Sequence, residues 1–296
     1  GSYKIDKSKS AIEMINTKAF AENVEFEALL TFSGEAKGNL IRSVSPDPNN
    51  VTVIQHHSFI KLPDNDYKPR KFDPRSGAIS ISYMDYSTPI DEPINKKYVI
   101  RHRLEKKNPE AEISEAIEPI VYYLDPGTPE PVKSALLDGG EWWNQAYESI
   151  GFKDAFQVKM LPEDVDPLDC RYNVIQWVHR STRGWSYGAS VVDPRTGEII
   201  KGHVSLGSLR IRQDYMIAQA LTKDPFISEN QNDQMLELAI ARIRQLSAHE
   251  IGHTIGFAHN FAASSNDRAS VMDYPHPLVN INDGEIVFDD AYDTGI

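Results

Sequence analysis

Apolar and polar positions alternate through the first third of the chain. "NVEFEALLTFSG" (23–34), "NVTVIQHHSFIKL" (50–62) and "GAISISYMDY" (77–86) carry β-branched and aromatic residues near the period of two expected of strands. The last two flank "DNDYKPRKFDPRSG", which is turn chemistry throughout. "EPINKKYVIRHRLEKK" (92–107) reads as a further strand with its basic end in solvent, and His102 is expected on that solvated strand. His56 and His57 adjoin in a strand, so their side chains point to opposite faces and do not share a ligand.

"NPEAEISEA" (108–116) is polar, acidic and poor in strand formers, and it marks the expected boundary between a β-rich domain over 1–108 and a second domain over 109–296. Beyond it the period changes. "PIVYYLD" (119–125) is a compact apolar run typical of a strand covered on both faces. Residues 126–152 read as a helix with prolines near its start and Gly151 near its end, loosened in the middle by Gly139 and Gly140. Trp142 and Trp143 on it are expected to pack. "FQVKML" (156–161) and "RYNVIQWVH" (171–179) are two more strands, and the order implies a mainly parallel sheet in an α/β layer. Residues 184–207 read as a hairpin about Asp193–Gly197, so Asp193 and Asp125 belong to turns. Residues 230–256 form a long helix with an apolar stripe through Met235, Leu238, Ala239, Ile243 and Leu246.

Composition narrows the function. The 296 residues are 40% hydrophobic and 25% charged, as a globular protein is. A net charge of −12 argues against a nucleic-acid partner and tolerates a basic or neutral substrate. The single cysteine, Cys170, excludes an internal disulfide framework, and Asp164, Asp166 and Asp169 upstream disfavour a thiolate, so a packed cysteine is expected. No run reaches the ~20 apolar residues of a membrane helix, and the start shows no signal-peptide pattern.

The last helix carries "HEIGHTIGFAH" (249–259). His249 and His253 stand four apart, stacked on one face, so two imidazoles can converge on one ion. Glu250 is offset around the helix by about 100°, placing it to work on a metal-bound water as general base rather than as a ligand. Gly256 can take a left-handed conformation that ends the helix and turns the chain, so that His259 returns as third ligand. Three neutral imidazoles with an open position suit one catalytic Zn²⁺ ion.

The pattern His-Glu-x-x-His-x-x-Gly-x-x-His resembles the metzincin clan of zinc endopeptidases. "ASVMDYP" (269–275) lies where the clan has its Met-turn, so Met272 is implied as an apolar floor beneath the metal. Tyr274, two residues on, matches the branches in which a tyrosine approaches zinc and steadies the oxyanion; a packing tyrosine is the alternative. Asn260 after the third histidine fits none of the best-known branches. "EPIVYYLDPG", "WWNQAYE", "RYNVIQWVHRSTRGWSYG" and "DPRTGEIIKGHV" are similar to bacterial metzincin-like proteases that carry an N-terminal domain of unknown function.

The resemblance implies a mixed, mainly parallel sheet with an antiparallel edge strand and an active-site helix, preceded by the β-rich domain. It implies a peptide or protein substrate lying along the edge strand, for which "IIKGHVSLGS" (199–208) is the candidate, with Gly202, His203, Val204 and Ser205 against the peptide. It also implies export to the periplasm, cell surface or medium, with the leader outside these residues. The C-terminal helix usual after the Met-turn is not readable in the 19 residues after Pro277, so a C-terminally truncated catalytic domain is an expectation too; "NINDGEIVFDD" reads there as a hairpin rather than a calcium loop. The leading function is a zinc endopeptidase; a zinc-retaining binding or assembly protein and a zinc hydrolase of a non-peptide amide stay open.

Overall fold

The structure, a computed structural model, describes residues 2–180, 185–221, 229–274 and 276–296, with the side chains of 229–233 excepted. The "STRG" portion of the resemblance, the first residue of the 184–207 reading and Pro275 lie outside the described residues. The chain forms two compact units, one of Gly1–Leu62 with Leu168–Arg171 and one of Pro63–Pro167 with Tyr172–Ile296.

In the first unit β1 (Tyr3–Ile5), β2 (Ala11–Ala19), β3 (Asn23–Gly34) and β4 (Asn50–Ile60) make an antiparallel sheet, with a short helix α1 (Asn39–Val44) before β4. β3 lies between β4 on one side and β1 and β2 on the other. Glu25 is buried here among its own partners: Asn23 and Ser58 donate to it and His56 Nε2 lies 2.6 Å from Oε2. That carboxylate raises the His56 pKa above its ordinary 6.5. Asn23 also fastens residues 168–171, donating to Leu168 O at 3.0 Å and accepting from Cys170 N at 3.0 Å. Cys170 is buried there.

The second unit is a mixed α+β layer. β5 (Ser80–Met84) and β6 (Asn95–Val99) form a hairpin, and β7 (Ser114–Glu115) pairs with β9 (Phe152–Lys153). The central sheet holds β8 (Ile120–Leu124), β10 (Phe156–Met160), β11 (Asn173–Val178), β12 (Tyr187–Val192) and β13 (Ile199–Gly207) in the order β10-β8-β11-β13-β12. Every pairing is parallel except β12 with β13, so the antiparallel edge is β12. The helices are α2 (Val132–Glu141), α3 (Trp143–Ser149), α4 (Leu209–Leu221) and α5 (Glu229–Thr254). β14 (Asn280–Asn282) and β15 (Glu285–Val287) close the C-terminal hairpin. Among the described residues no helix is long and apolar enough to cross a membrane.

Alternation in β8 buries Ile120, Tyr122 and Leu124, which meet Leu136, Phe156, Ile175, Leu206, Ile243 and Ile251 in one core. Each such large apolar side chain contributes about 1.5–3 kcal/mol on burial. The apolar stripe of α5 divides: Ile243 and Leu246 join this core, while Met235 and Leu238 meet Ala218 and Ala291 in a smaller one. Gly139 does more than loosen its helix, since a Cβ there would fall 2.1 Å from Arg244 O, and its absence lets α2 lie on α5.

The compact units part at 62/63, with residues 63–107 hydrogen-bonded into the second unit, as in Ile79 N to Gly256 O (2.8 Å) and Arg103 Nε to Glu198 Oε1 (2.7 Å). Two expectations change. His102 lies outside any strand and is half-buried rather than solvated; it packs edge-on to Tyr122 (ring centroids 6.2 Å), and burial pushes its pKa down to about 4. Residues 199–207 are not the sheet edge, because β11 and β12 pair with them on both sides.

Candidate metal centre and cleft

α5 runs unbroken to Thr254 and then stops in two hydrogen bonds: Gly256 N to His253 O (3.2 Å) and Phe257 N to Gly252 O (2.9 Å). This is the Schellman arrangement, and it needs a left-handed residue at Gly256, where φ is 108°. A side chain at that position would also meet Ile100 O at 2.3 Å. The turned chain is held by Ala258 N to Gly77 O (2.9 Å) and by Asn260 N to Met272 O (2.9 Å), and His259 sits between those two anchors.

The ligand atoms of His249, His253 and His259 all lie within 4.8 Å of one another. His249 Nδ1 lies 2.7 Å from Val271 O and His253 Nδ1 lies 2.8 Å from Phe257 O. A carbonyl only accepts, so each Nδ1 carries the proton and each Nε2 keeps its lone pair. His253 Nε2 and His259 Nε2 face each other at 3.1 Å. Without a metal an Nε2–H of His259 donates to the His253 lone pair, and with one both nitrogens turn their lone pairs to the cation, so this donor set fits a divalent ion that takes imidazole.

Met272 lies beneath α5 at Gly252, where a Cβ would come within 2.3 Å of its sulfur. The segment that contains it supplies Val271 O to His249 and Met272 O to the N–H of Asn260 next to His259, so one turn orients two of the three histidines. Tyr274 is more than half exposed, with its ring 4.5 Å from His259 and 5.5 Å from His249. Glu250 is buried, and burial pushes its carboxyl up to about 7 against the opposing effects of Arg242 and the Gly188 N–H.

These groups border a cavity of about 650 Å³ that reaches from Tyr187 and Gly188 on β12 to Arg210 on α4 and Arg242 on α5. β12 is seated directly against the helix. A Cβ at Gly188 would fall 2.1 Å from Glu250 O, and Ser190 Oγ donates to Thr254 O at 2.6 Å. Residues 231–296 match the family model described as Met-zincin. The chain is a metzincin-like protein. Residues 1–107 match a second family model, described as Domain of unknown function (DUF5117). No curated protein and no solved structure matches the chain.

In this metzincin-like protein the predicted residues part into two groups. His249, Glu250, His253, His259 and Tyr274 line the cavity, while Gly256 makes the turn before His259 and Met272 packs under Gly252. Gly202, His203, Val204 and Ser205 do not line it. Gly202 packs against Tyr122 Oη, Val204 is in the core, and Ser205 is buried and accepts from Arg180 at 3.0 Å. The sequence argument overlooked β12 as the edge, and with it Tyr187 and Gly188. It also overlooked Arg242, although a residue seven before His249 lies two turns back on the same helix face.

Proposed function

We propose that the chain is a zinc-dependent endopeptidase whose general base is Glu250. The observation that carries this reading is the pair of Nδ1–carbonyl hydrogen bonds on His249 and His253, which leave both Nε2 atoms turned toward His259 beside a buried carboxylate in an open cleft. His249, His253 and His259 would hold the ion. Zinc bound there would supply Lewis-acid polarisation of a carbonyl and bring bound water toward a pKa of about 7.

The remaining work falls to side and main chain. Among the described residues no strand pairs with the outer side of β12, and an extended peptide added to it would gain main-chain hydrogen bonds with little demand on sequence. Glu250 takes the proton from the attacking water and returns it to the leaving amine, and its buried position keeps that proton from bulk solvent. In this reading Tyr274 donates to the oxyanion, a role supported by its ring lying against those of His249 and His259.

The test pairs metal content with cleavage of a mixed peptide library. Wild type is expected to bind one zinc and cleave, and Glu250→Ala to bind one zinc and cleave slower by a factor of about 10²–10⁴. Stoichiometric zinc without cleavage by the wild type would overturn the peptidase reading and favour a zinc-retaining binding protein.

A further inference from the structure

The cavity contains a cation that the proposed cleavage step leaves without a task. Arg242 lies on α5, seven residues and therefore two turns before His249, so it faces the same cavity about 10 Å along the helix. Its surroundings are drying: burial lowers its pKa from the ordinary 12.5, the sign expected of a desolvated cation whose charge is incompletely offset. Asp214 and Glu250 favour its charged form from a distance, and Tyr292 lies under its guanidinium at 5.7 Å. Yet among the described residues no carboxylate stands within ion-pair distance of it, while Asp214 is taken by Arg210 at 2.9 Å. Leaving a desolvated cation unpaired is costly.

A second, independent observation lies one turn along. Gln245 also lines the cavity, is 4% exposed, and its Oε1 has no hydrogen-bond partner. Its Nε2 is turned to Val271 O at 3.4 Å, so the amide presents an acceptor with nothing to accept from. A buried unsatisfied acceptor and a half-buried cation with no carboxylate partner among the described residues, on successive turns of one helix, ask for a ligand carrying both an anionic oxygen and an N–H donor. A peptide residue with a carboxylate has both.

We propose that the α4–α5 end of the cavity is a carboxylate subsite, in which Arg242 receives a carboxylate of the substrate peptide and Gln245 Oε1 accepts a peptide N–H. The guanidinium fork offers a carboxylate two charge-assisted bonds in a partly dehydrated setting. The two-turn separation from His249, shortened by the reach of two long side chains, puts the carboxylate at a residue flanking the scissile bond or one removed from it. The subsite is a local reversal on a chain whose net charge is −12, so acidic substrates would be selected here and nowhere else by charge. This inference rests on the peptidase reading for its substrate, and the carboxylate has two sources: an acidic side chain or the peptide's own C-terminus.

The test uses matched peptides that differ only in Glu, Gln or Lys at each position flanking the cleaved bond, each made with a free and an amidated C-terminus. The ratio of kcat/KM values is read for wild type, Arg242→Gln, Arg242→Lys and Arg242→Glu, after thermal melting confirms that each variant folds. Wild type is expected to favour Glu over Gln by at least about tenfold at one position, or the free over the amidated terminus if that is the source. Arg242→Gln should bring the ratio near one, Arg242→Lys should keep part of it, and Arg242→Glu should turn it toward Lys. Equal rates for Glu, Gln and both termini in a wild type that cleaves would overturn the subsite and leave the peptidase standing. Were wild type to cleave nothing, the peptidase reading would fall alone. Equilibrium binding of the same peptides to wild type and Arg242→Gln would then decide the subsite, with equal affinity for Glu, Gln and both termini overturning it.

Discussion

Gly252→Ala tests the floor of the metal centre. Alanine is the better helix former, and in an exposed helix interior the change would stabilise by about 0.5–1 kcal/mol. Here the new Cβ would stand 2.3 Å from Met272 Sδ, 3.1 Å from its Cε and 2.7 Å from Trp143 Cζ2. Ordinary carbon contacts are about 3.5–4.0 Å, so the neighbours must retreat by about an ångström. Trp143 has nowhere to go: it is buried, its Nε1 donates to Ala248 O at 2.7 Å, and its ring stacks on Phe257 at 5.1 Å. Overpacking of this kind costs about 1–3 kcal/mol, which outweighs the propensity gain and leaves a net loss of about 1–2 kcal/mol. Met272→Ala alone should cost about 2–5 kcal/mol as a cavity. In the double variant the new Cβ occupies space that the thioether vacated, so the losses should fall short of additive by about 1 kcal/mol or more. Urea denaturation of the three variants in chelator, where metal linkage does not enter, measures all three terms. A Gly252→Ala protein more stable than wild type, or strictly additive losses, would refute the contact on which Met272's role as floor depends.

Two further predictions concern residues 77–102 and the turn they support. Burial holds the folded pKa of His102 near 4 against an ordinary 6.5, so the unfolded chain binds the proton first and stability falls as pH drops from about 6.5 to 4, by up to about 3 kcal/mol. The gap between denaturation midpoints at pH 7 and pH 4.5 should narrow in His102→Gln, and an unchanged pH dependence would refute the assignment. Gly256→Ala places a side chain at φ 108° and 2.3 Å from Ile100 O, a strain of about 1–3 kcal/mol concentrated where His259 leaves the helix. Its zinc affinity, measured by competition with a chromophoric chelator, should fall at least about tenfold, and a wild-type affinity would refute the link between that turn and the third histidine.

What was legible in the sequence follows the range of the interactions involved. The histidines are close in sequence and governed by helix geometry, so spacing alone could place His249, His253 and, through Gly256, His259 together. Strands such as β3, β4 and β8 announced themselves by alternation within a few residues. The helix α4 carried no such signal, because only Asp214 and Ala218 are buried along it and its two faces differ little in polarity. Sheet order was likewise hidden. "GASVV" and "IIKGHV" read as equals in a hairpin, and which of them becomes the edge depends on which one β11 chooses, a contact about 30 residues away.

The segment before residue 108 shows the same limit from the other side. A polar, acidic stretch is a sound sign that few side chains are buried at that point, yet it says nothing of where the segment before it packs. Residues 77–101 return to the metal centre: Gly77 O and Ile79 N hold the chain on either side of Phe257, and Ile100 O closes the space above Gly256. Arg101 N donates to Gly197 O, which ties the same segment to the turn between β12 and β13. The third histidine and the edge strand therefore share a brace that precedes them by more than 85 residues. A centre that reads in the sequence as one helix and one turn is completed by backbone from a region that the Met-zincin match does not include.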